Sequence, residues 1–201
     1  MDYGTLKAHV AAWLNRTDLT SQVPVFIALA ELDVNRKVRA PEMMTKLTQA
    51  ISLWATLPVD CLEIASLALP ASGYAPVSIT SQAELDRRRA EKLSAGGIPA
   101  WAAVIGRGLE FDADPESSTQ LLGRYYARIP AMSDASPSNV LLDAHWDLYL
   151  YGALMHAAPY LEDDGRLQVW ATGYQRAMDG IAANAESLEA APELNVKRWS
   201  F

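Results

Sequence analysis

The stretch that decides the fold is residues 21–57, "SQVPVFIALAELDVNRKVRAPEMMTKLTQAISLWATL". Its first half repeats every four positions at Phe26, Ala30 and Val34, with Val25, Leu29 and Leu32 on an adjoining face. That pattern predicts a helix over 22–38, apolar on two sides and therefore central among its neighbours. Thr20 or Ser21 is placed to cap it, Pro24 falls in the first turn where a missing N–H is tolerated, and Pro41 ends it. Arg36, Lys37 and Arg39 suit the negative end of its dipole. Beyond Pro41 the period drops to two: Leu47, Ile51, Leu53, Ala55 and Leu57 alternate with polar residues, as half-buried strands do.

Upstream, Leu6, Val10, Trp13 and Leu14 share one helical face, followed by a turn from Asn15 to Asp18. Downstream, the strand period persists to about residue 130, where Leu121, Gly123, Tyr125, Ala127 and Ile129 alternate. Within this zone "AVIGRGLEF" (103–111) reads as a hairpin whose Gly106 and Gly108 supply unusual turn dihedrals, and "IASLALPASGYAPVSI" (64–79) as a second strand pair. "SQAELDRRRAEK" (81–92) is a short helix in which Ser81 and Glu84 have the capping-box spacing. The helical period returns after "SDASPSN". Residues 140–160 are apolar nearly all round at Trp146, Leu148, Leu150, Leu154 and Met155, and 164–190 carry one stripe from Leu167 through Trp170, Tyr174, Met178 and Ile181 to Leu188.

The fold class is therefore α+β. An antiparallel helical bundle, formed by residues 1–42 and 138–190, holds an antiparallel β-rich insertion at about 46–130; the single domain spans 1–191, and 192–201 form a tail.

Half of the 201 residues are hydrophobic, enough for a substantial core, and the formal net charge of −7 gives no general attraction for a phosphate backbone or an anionic membrane. The lone Cys61 excludes an intramolecular disulfide framework and points to a reducing compartment. No apolar run approaches the length a bilayer needs, and the first residues do not read as a secretion signal, so a soluble protein is expected.

The first candidates for chemistry are the acids Glu162, Asp163 and Asp164 of "YGALMHAAPYLEDDGRLQVW" (151–170). Consecutive helical residues point about 100° apart, and calcium loops alternate ligands with spacers, so the spacing favours a helix cap by Asp163 or Asp164 at an αα-corner over a metal site. His9, His145 and His156 accompany no recognisable nucleophile and no HExxH pair; His156 reads as a hydrogen-bonded core or interface residue. Cys61 lacks a nearby base and reads as a small buried hydrophobe. "GRG" (106–108) lacks the lysine and helix of a phosphate loop, and the arginines at 87–89, interleaved with acids, fit a solvated helix face better than a phosphate site. No catalytic residue, cofactor site or metal site is assigned.

The tail "NVKRWSF" sets Val196, Trp199 and Phe201 beside Lys197 and Arg198. A frayed terminus and a docking hook are both open readings; two large aromatics favour docking.

"AAWLNRTDLTSQVPVFIALAELDVNRKVR", "LPVDCLEIASL" and "GRYYARIPAMSDASPSNVLLDAHWDLYLYGALMHAAPYLEDDGRLQVW" together resemble the adaptor, or head-to-tail connector, proteins of tailed bacteriophages. The most specific blocks are "WLNRTDL" with "FIALAE" and "DLYLYGAL" with "AAPYLEDDGRL"; the middle matches in kind more than in residues. The resemblance implies a structural virion protein with no reaction and no cofactor. Such adaptors form a ring of twelve below the portal, extend the DNA channel without reading sequence, and offer the tail or nozzle proteins a docking surface. Their partners are the portal, the tail proteins and neighbouring adaptor subunits, assembled in the host cytoplasm, with no membrane. Lys197, Arg198, Trp199 and Phe201 are the residues expected to dock on the portal.

A soluble interaction module of a host bacterium or an integrated phage is the alternative, and a hydrolase built on the acids near 162–164 a third reading. The module predicts a fixed small oligomer without portal, and the hydrolase an activity lost on changing Asp163 and Asp164 to asparagine.

Overall fold

The structure, a computed structural model, describes residues 1–70, 73–92, 96–115, 119–161 and 165–189. The chain is mixed α+β, with six α-helices and two four-stranded sheets among those residues. It divides into two compact units, residues 1–42 with 129–201 and residues 43–128.

In the first unit, α1 (Tyr3–Leu14) starts where the Thr5 amide donates to Asp2 Oδ1 at 2.7 Å and ends at Asn15 in the left-handed region. It buries Tyr3, Leu6, Val10 and Leu14, but Trp13, expected on that face, is exposed. The cap expected from Thr20 or Ser21 on α2 (Val23–Lys37) is not made. A 3-10 turn over Thr20–Gln22 runs straight into the helix, and the Thr20 hydroxyl donates back to the Thr17 carbonyl instead.

The centrality expected of α2 is also corrected. It buries Phe26, Ile27, Ala30, Glu31 and Val34, while Val25, Leu29 and Leu32 are 50, 40 and 41% exposed. The central helix is α5 (Trp146–His156), on which α1, α2 and α6 (Leu167–Glu189) all pack. Two features of its sequence explain this. Leu148, Tyr149, Leu150, Ala153 and Leu154 are buried on successive sides, and Gly152 lets its neighbours close in: a Cβ there would stand 3.0 Å from Ala30 Cβ and 3.3 Å from the Tyr174 ring. The expected 140–160 helix is broken at His145 (φ −136°, ψ 54°) into α4 (Val140–Ala144) and α5, with Asn139 capping α4 through the Leu142 amide. α6 buries Trp170, Tyr174 and Ile181 as one stripe.

In the second unit, β1 (Met44–Ala50), β8 (Gln120–Ala127), β3 (Cys61–Leu69) and β4 (Ala75–Pro76) lie in that order as an antiparallel sheet. The other sheet is ordered β2 (Trp54–Thr56), β7 (Gly108–Phe111), β6 (Trp101–Ile105), β5 (Ser78–Thr80). Its β5 and β6 run parallel, a departure from the all-antiparallel expectation. Parallel neighbours need a crossover, and α3 (Gln82–Glu91) supplies it. The alternating line from Leu47 to Leu57 is split between the sheets: Leu47, Ile51, Ala55 and Leu57 enter one core with Leu109, Phe111 and Leu121, while Leu53 is exposed between β1 and β2.

The hairpin at 103–111 forms with Gly106 at φ +59°. Gly108 has no such dihedral; its missing side chain matters because a Cβ would fall 2.1 Å from the Trp54 ring. The α3 capping box is half made. Ser81 accepts from the Glu84 amide at 3.3 Å, but the Glu84 carboxylate turns to Arg87 and Arg88.

Candidate functional site

The arginine cluster on α3 is committed to structure. Arg87 pairs with Glu84 and Glu91, Arg88 stacks 3.7 Å over the Trp101 ring, and Arg89 donates from Nε to the Phe111 carbonyl (2.9 Å) and from Nη1 to Glu110 (2.8 Å). Arg89 is thus an anchor of α3 to β7 rather than part of a solvated face. Beside it, Asp112, only 4% exposed, accepts from the Ala100 and Trp101 amides at 3.0 Å and from Lys92 Nζ at 2.7 Å. Burial pushes this carboxyl up, but the lysine and the two amides outweigh it and hold the group below its ordinary value.

The three histidines go to three places. His156 Nε2 lies 3.2 Å from Asp33 Oδ2, His145 Nε2 3.7 Å from Glu42, and His9 tilts against Trp146 at 6.3 Å between ring centroids. The Cys61 thiol is pushed up by burial and by Asp60, the opposite of an activated nucleophile. Among the described residues no three His, Cys, Asp or Glu side chains converge as a metal would require. The acids Glu162, Asp163 and Asp164, with the corner and cap expected of them, lie outside the described residues, as do Lys197, Arg198, Trp199 and Phe201.

What the described residues do offer is surface. On the helical unit, Val25, Ala28, Leu29 and Leu32 are exposed at i, i+3, i+4 and i+7 along α2, a continuous apolar stripe. A second apolar surface forms where α1, α5 and α6 meet. Trp13 stands edge-on to Tyr151 at 5.9 Å, Arg166 Nη1 donates to the Trp13 carbonyl, and the Tyr151 ring lies on Gly173, where a Cβ would come within 2.7 Å. There Tyr151, Gln168, Val169, Thr172, Gly173 and Arg176 line a groove of about 320 Å³.

The β unit has a groove of its own, about 330 Å³, on one face of the β1-β8-β3 sheet, with Lys46, Thr48, Ser66, Tyr74, Leu122 and Arg124 around it. Lys46 and Arg124 are directly opposite in register, a like-charge pair that is unfavourable in a sheet, and neither has a carboxylate partner among the described residues. Sequence reading missed both grooves. The alternation shows that Lys46 and Arg124 point outward, but only the register shows that they meet.

No described helix is long and apolar enough to cross a membrane. No curated protein matches the chain significantly. Residues 1–196 match the model of the SU10 adaptor protein family. The match runs through both units and gives the identification: this chain belongs to the SU10 adaptor protein family, and its role is that of a structural phage protein.

Proposed function

We propose that the chain is a non-enzymatic virion adaptor at the head-to-tail interface. It forms a ring of twelve copies below the portal, continues the DNA channel, and presents a docking surface to tail or nozzle proteins. The observation that carries this reading is the family match over residues 1–196. The uncovered apolar surfaces of the helical unit support it, because a ring is closed by heterologous contacts and each copy needs two distinct sticky faces. In this reading α1, α2, α5 and α6 form the antiparallel bundle of the adaptor.

The net charge of −7 fits a channel through which DNA slides: carboxylates repel phosphates, and the excess of acids falls almost wholly in residues 1–42 and 129–201. The tail completes the proposal, with Lys197, Arg198, Trp199 and Phe201 docking on the portal as a short aromatic hook beside two cations.

Negative-stain images of the chain mixed with portal protein test the reading. An added ring below the portal is expected, and deletion of residues 192–201 abolishes its attachment. Unchanged portal binding after that deletion refutes the tail assignment, and a small fixed oligomer that ignores portal refutes the adaptor reading in favour of a general interaction module.

A further inference from the structure

The two apolar surfaces of the helical unit are unlike each other and oppositely charged at one end. The α2 stripe runs about 10 Å from Val25 to Leu32 and ends one turn later at Arg36, which is exposed. It points away from α5, because α2 turns Phe26, Ile27, Ala30 and Val34 inward. The other surface is the seam of His9, Trp13, Trp146, Tyr151 and Val169, of which Trp13, Trp146 and Val169 are 42, 41 and 64% exposed, with the groove over Gly173 at its α6 side. Next to Trp146 stands the half-buried Asp147. Neither Arg36 nor Asp147 has an ion pair or side-chain hydrogen bond among the described residues.

We infer that these surfaces are the two halves of one contact between successive copies of the chain: the α2 stripe of one copy lies in the α1–α5–α6 seam of the next, with Arg36 against Asp147. The inference rests on the ring reading and names the residues that close the ring. A dipole preference accounts for the sign of each charge at its helix end, but not for an apolar stripe beside the cation and an apolar seam beside the anion. A second copy of the chain supplies both complements at once, apolar stripe to the aromatic seam of Trp13, Trp146 and Tyr151 and cation to anion. A two-fold contact of α2 with α2 would leave the seam bare and offer Arg36 only the buried Glu31 and an Asp33 already paired with Lys37, whereas a head-to-tail contact uses each face once per copy and propagates.

Cross-linking of assembled rings tests this directly. In a Cys61→Ala background, the variant carrying Leu29→Cys and Val169→Cys is mixed with portal protein, treated with a short bis-maleimide and run on a denaturing gel. A ladder of three or more chains is expected from the double variant, and none from either single variant. A dimer from Leu29→Cys alone overturns the proposal in favour of a two-fold contact. Rings that form normally but give no ladder overturn it as well. A wild-type chain that forms no ring with portal overturns the adaptor reading itself, a result distinct from the other two.

The charge pair is read in the same assay. Arg36→Glu and Asp147→Arg each lower ring yield about tenfold with the circular dichroism and thermal midpoint of the free chain unchanged, and the two together return it to within about threefold of wild type. A double variant no better than the singles removes Arg36 and Asp147 from the contact.

Discussion

Glu31 and Met132 lie 101 positions apart in the chain, yet the Met132 amide donates to Glu31 Oε1 at 2.7 Å inside the helical unit. One turn along α2, Asn35 binds the same returning segment twice, accepting from the Ile129 amide at 2.8 Å and donating to the Ile129 carbonyl at 3.3 Å. The two side chains hold residues 129–132 on α2 where no strand or helix provides backbone partners.

Glu31→Ala therefore costs about 1–3 kcal/mol, because it leaves a buried amide without an acceptor. Glu31→Gln keeps the acceptor and isolates the charge. Burial raises the Glu31 carboxyl above its ordinary 4.5, with the Met132 amide only partly opposing it. The folded chain then holds the proton more tightly than the unfolded one, so this group lowers stability as pH rises from 4.5 through its raised value. Urea unfolding at about pH 4 and about pH 7 should show Glu31→Gln gaining on wild type at the higher pH. A gap that does not move with pH would show that Glu31 is not the titrating group.

Asp112 gives the opposite sign. Its carboxyl is held below its ordinary 3.8 despite burial, so its contribution is full above that value and is lost as pH falls through the depressed one. Asp112→Asn leaves Lys92 facing a neutral amide and should cost about 1–3 kcal/mol near neutrality. The difference from wild type should shrink on acidification, which the same urea titrations would measure.

These anchors mark where sequence reading stops. Period alone separates helix from strand at Pro41, and the buried stripe of α6 at Trp170, Tyr174 and Ile181 follows from spacing. It does not distinguish a face covered within the chain from one left for another molecule: Val25, Leu29 and Leu32 have the pattern of core residues and are exposed. Nor does it see that the line from Leu47 to Leu57 divides between two sheets, or that β5 and β6 run parallel, since both depend on pairings distant in sequence. Lys46 against Arg124 is of the same kind, a contact made by register rather than by motif.

Two glycines separate a clash with main chain from a clash with a side chain. At Gly123 a Cβ would meet the Ser66 carbonyl at 2.6 Å, backbone in the middle of the sheet, and Leu67 at 2.8 Å. At Gly108 the clash is with Trp54, a 45% exposed side chain with room to swing outward. Gly123→Ala should cost about 1–3 kcal/mol, and Gly108→Ala less than about 1, because only the first forces main chain apart. Thermal midpoints order the two variants, and the reverse order would show that Trp54 is held where it stands.

The arginines at 87–89 supply the last test, because their bonds and their charge predict different things. Arg87 lies on the exposed side of α3, where solvent screens its pairs with Glu84 and Glu91, so Arg87→Ala should leave the urea midpoint almost unchanged. Arg89, with its side chain 25% exposed, ties α3 to the Phe111 carbonyl and to Glu110, and Arg89→Ala should cost about 1–3 kcal/mol by leaving both acceptors short of a donor. Were the cluster a phosphate site, the two variants would weaken duplex DNA retention alike and differ little in stability. The ion pairs predict the reverse, a clear split in urea midpoints and no change in DNA retention, because Glu84, Glu91 and Glu110 already occupy the guanidinium groups that a phosphate would need.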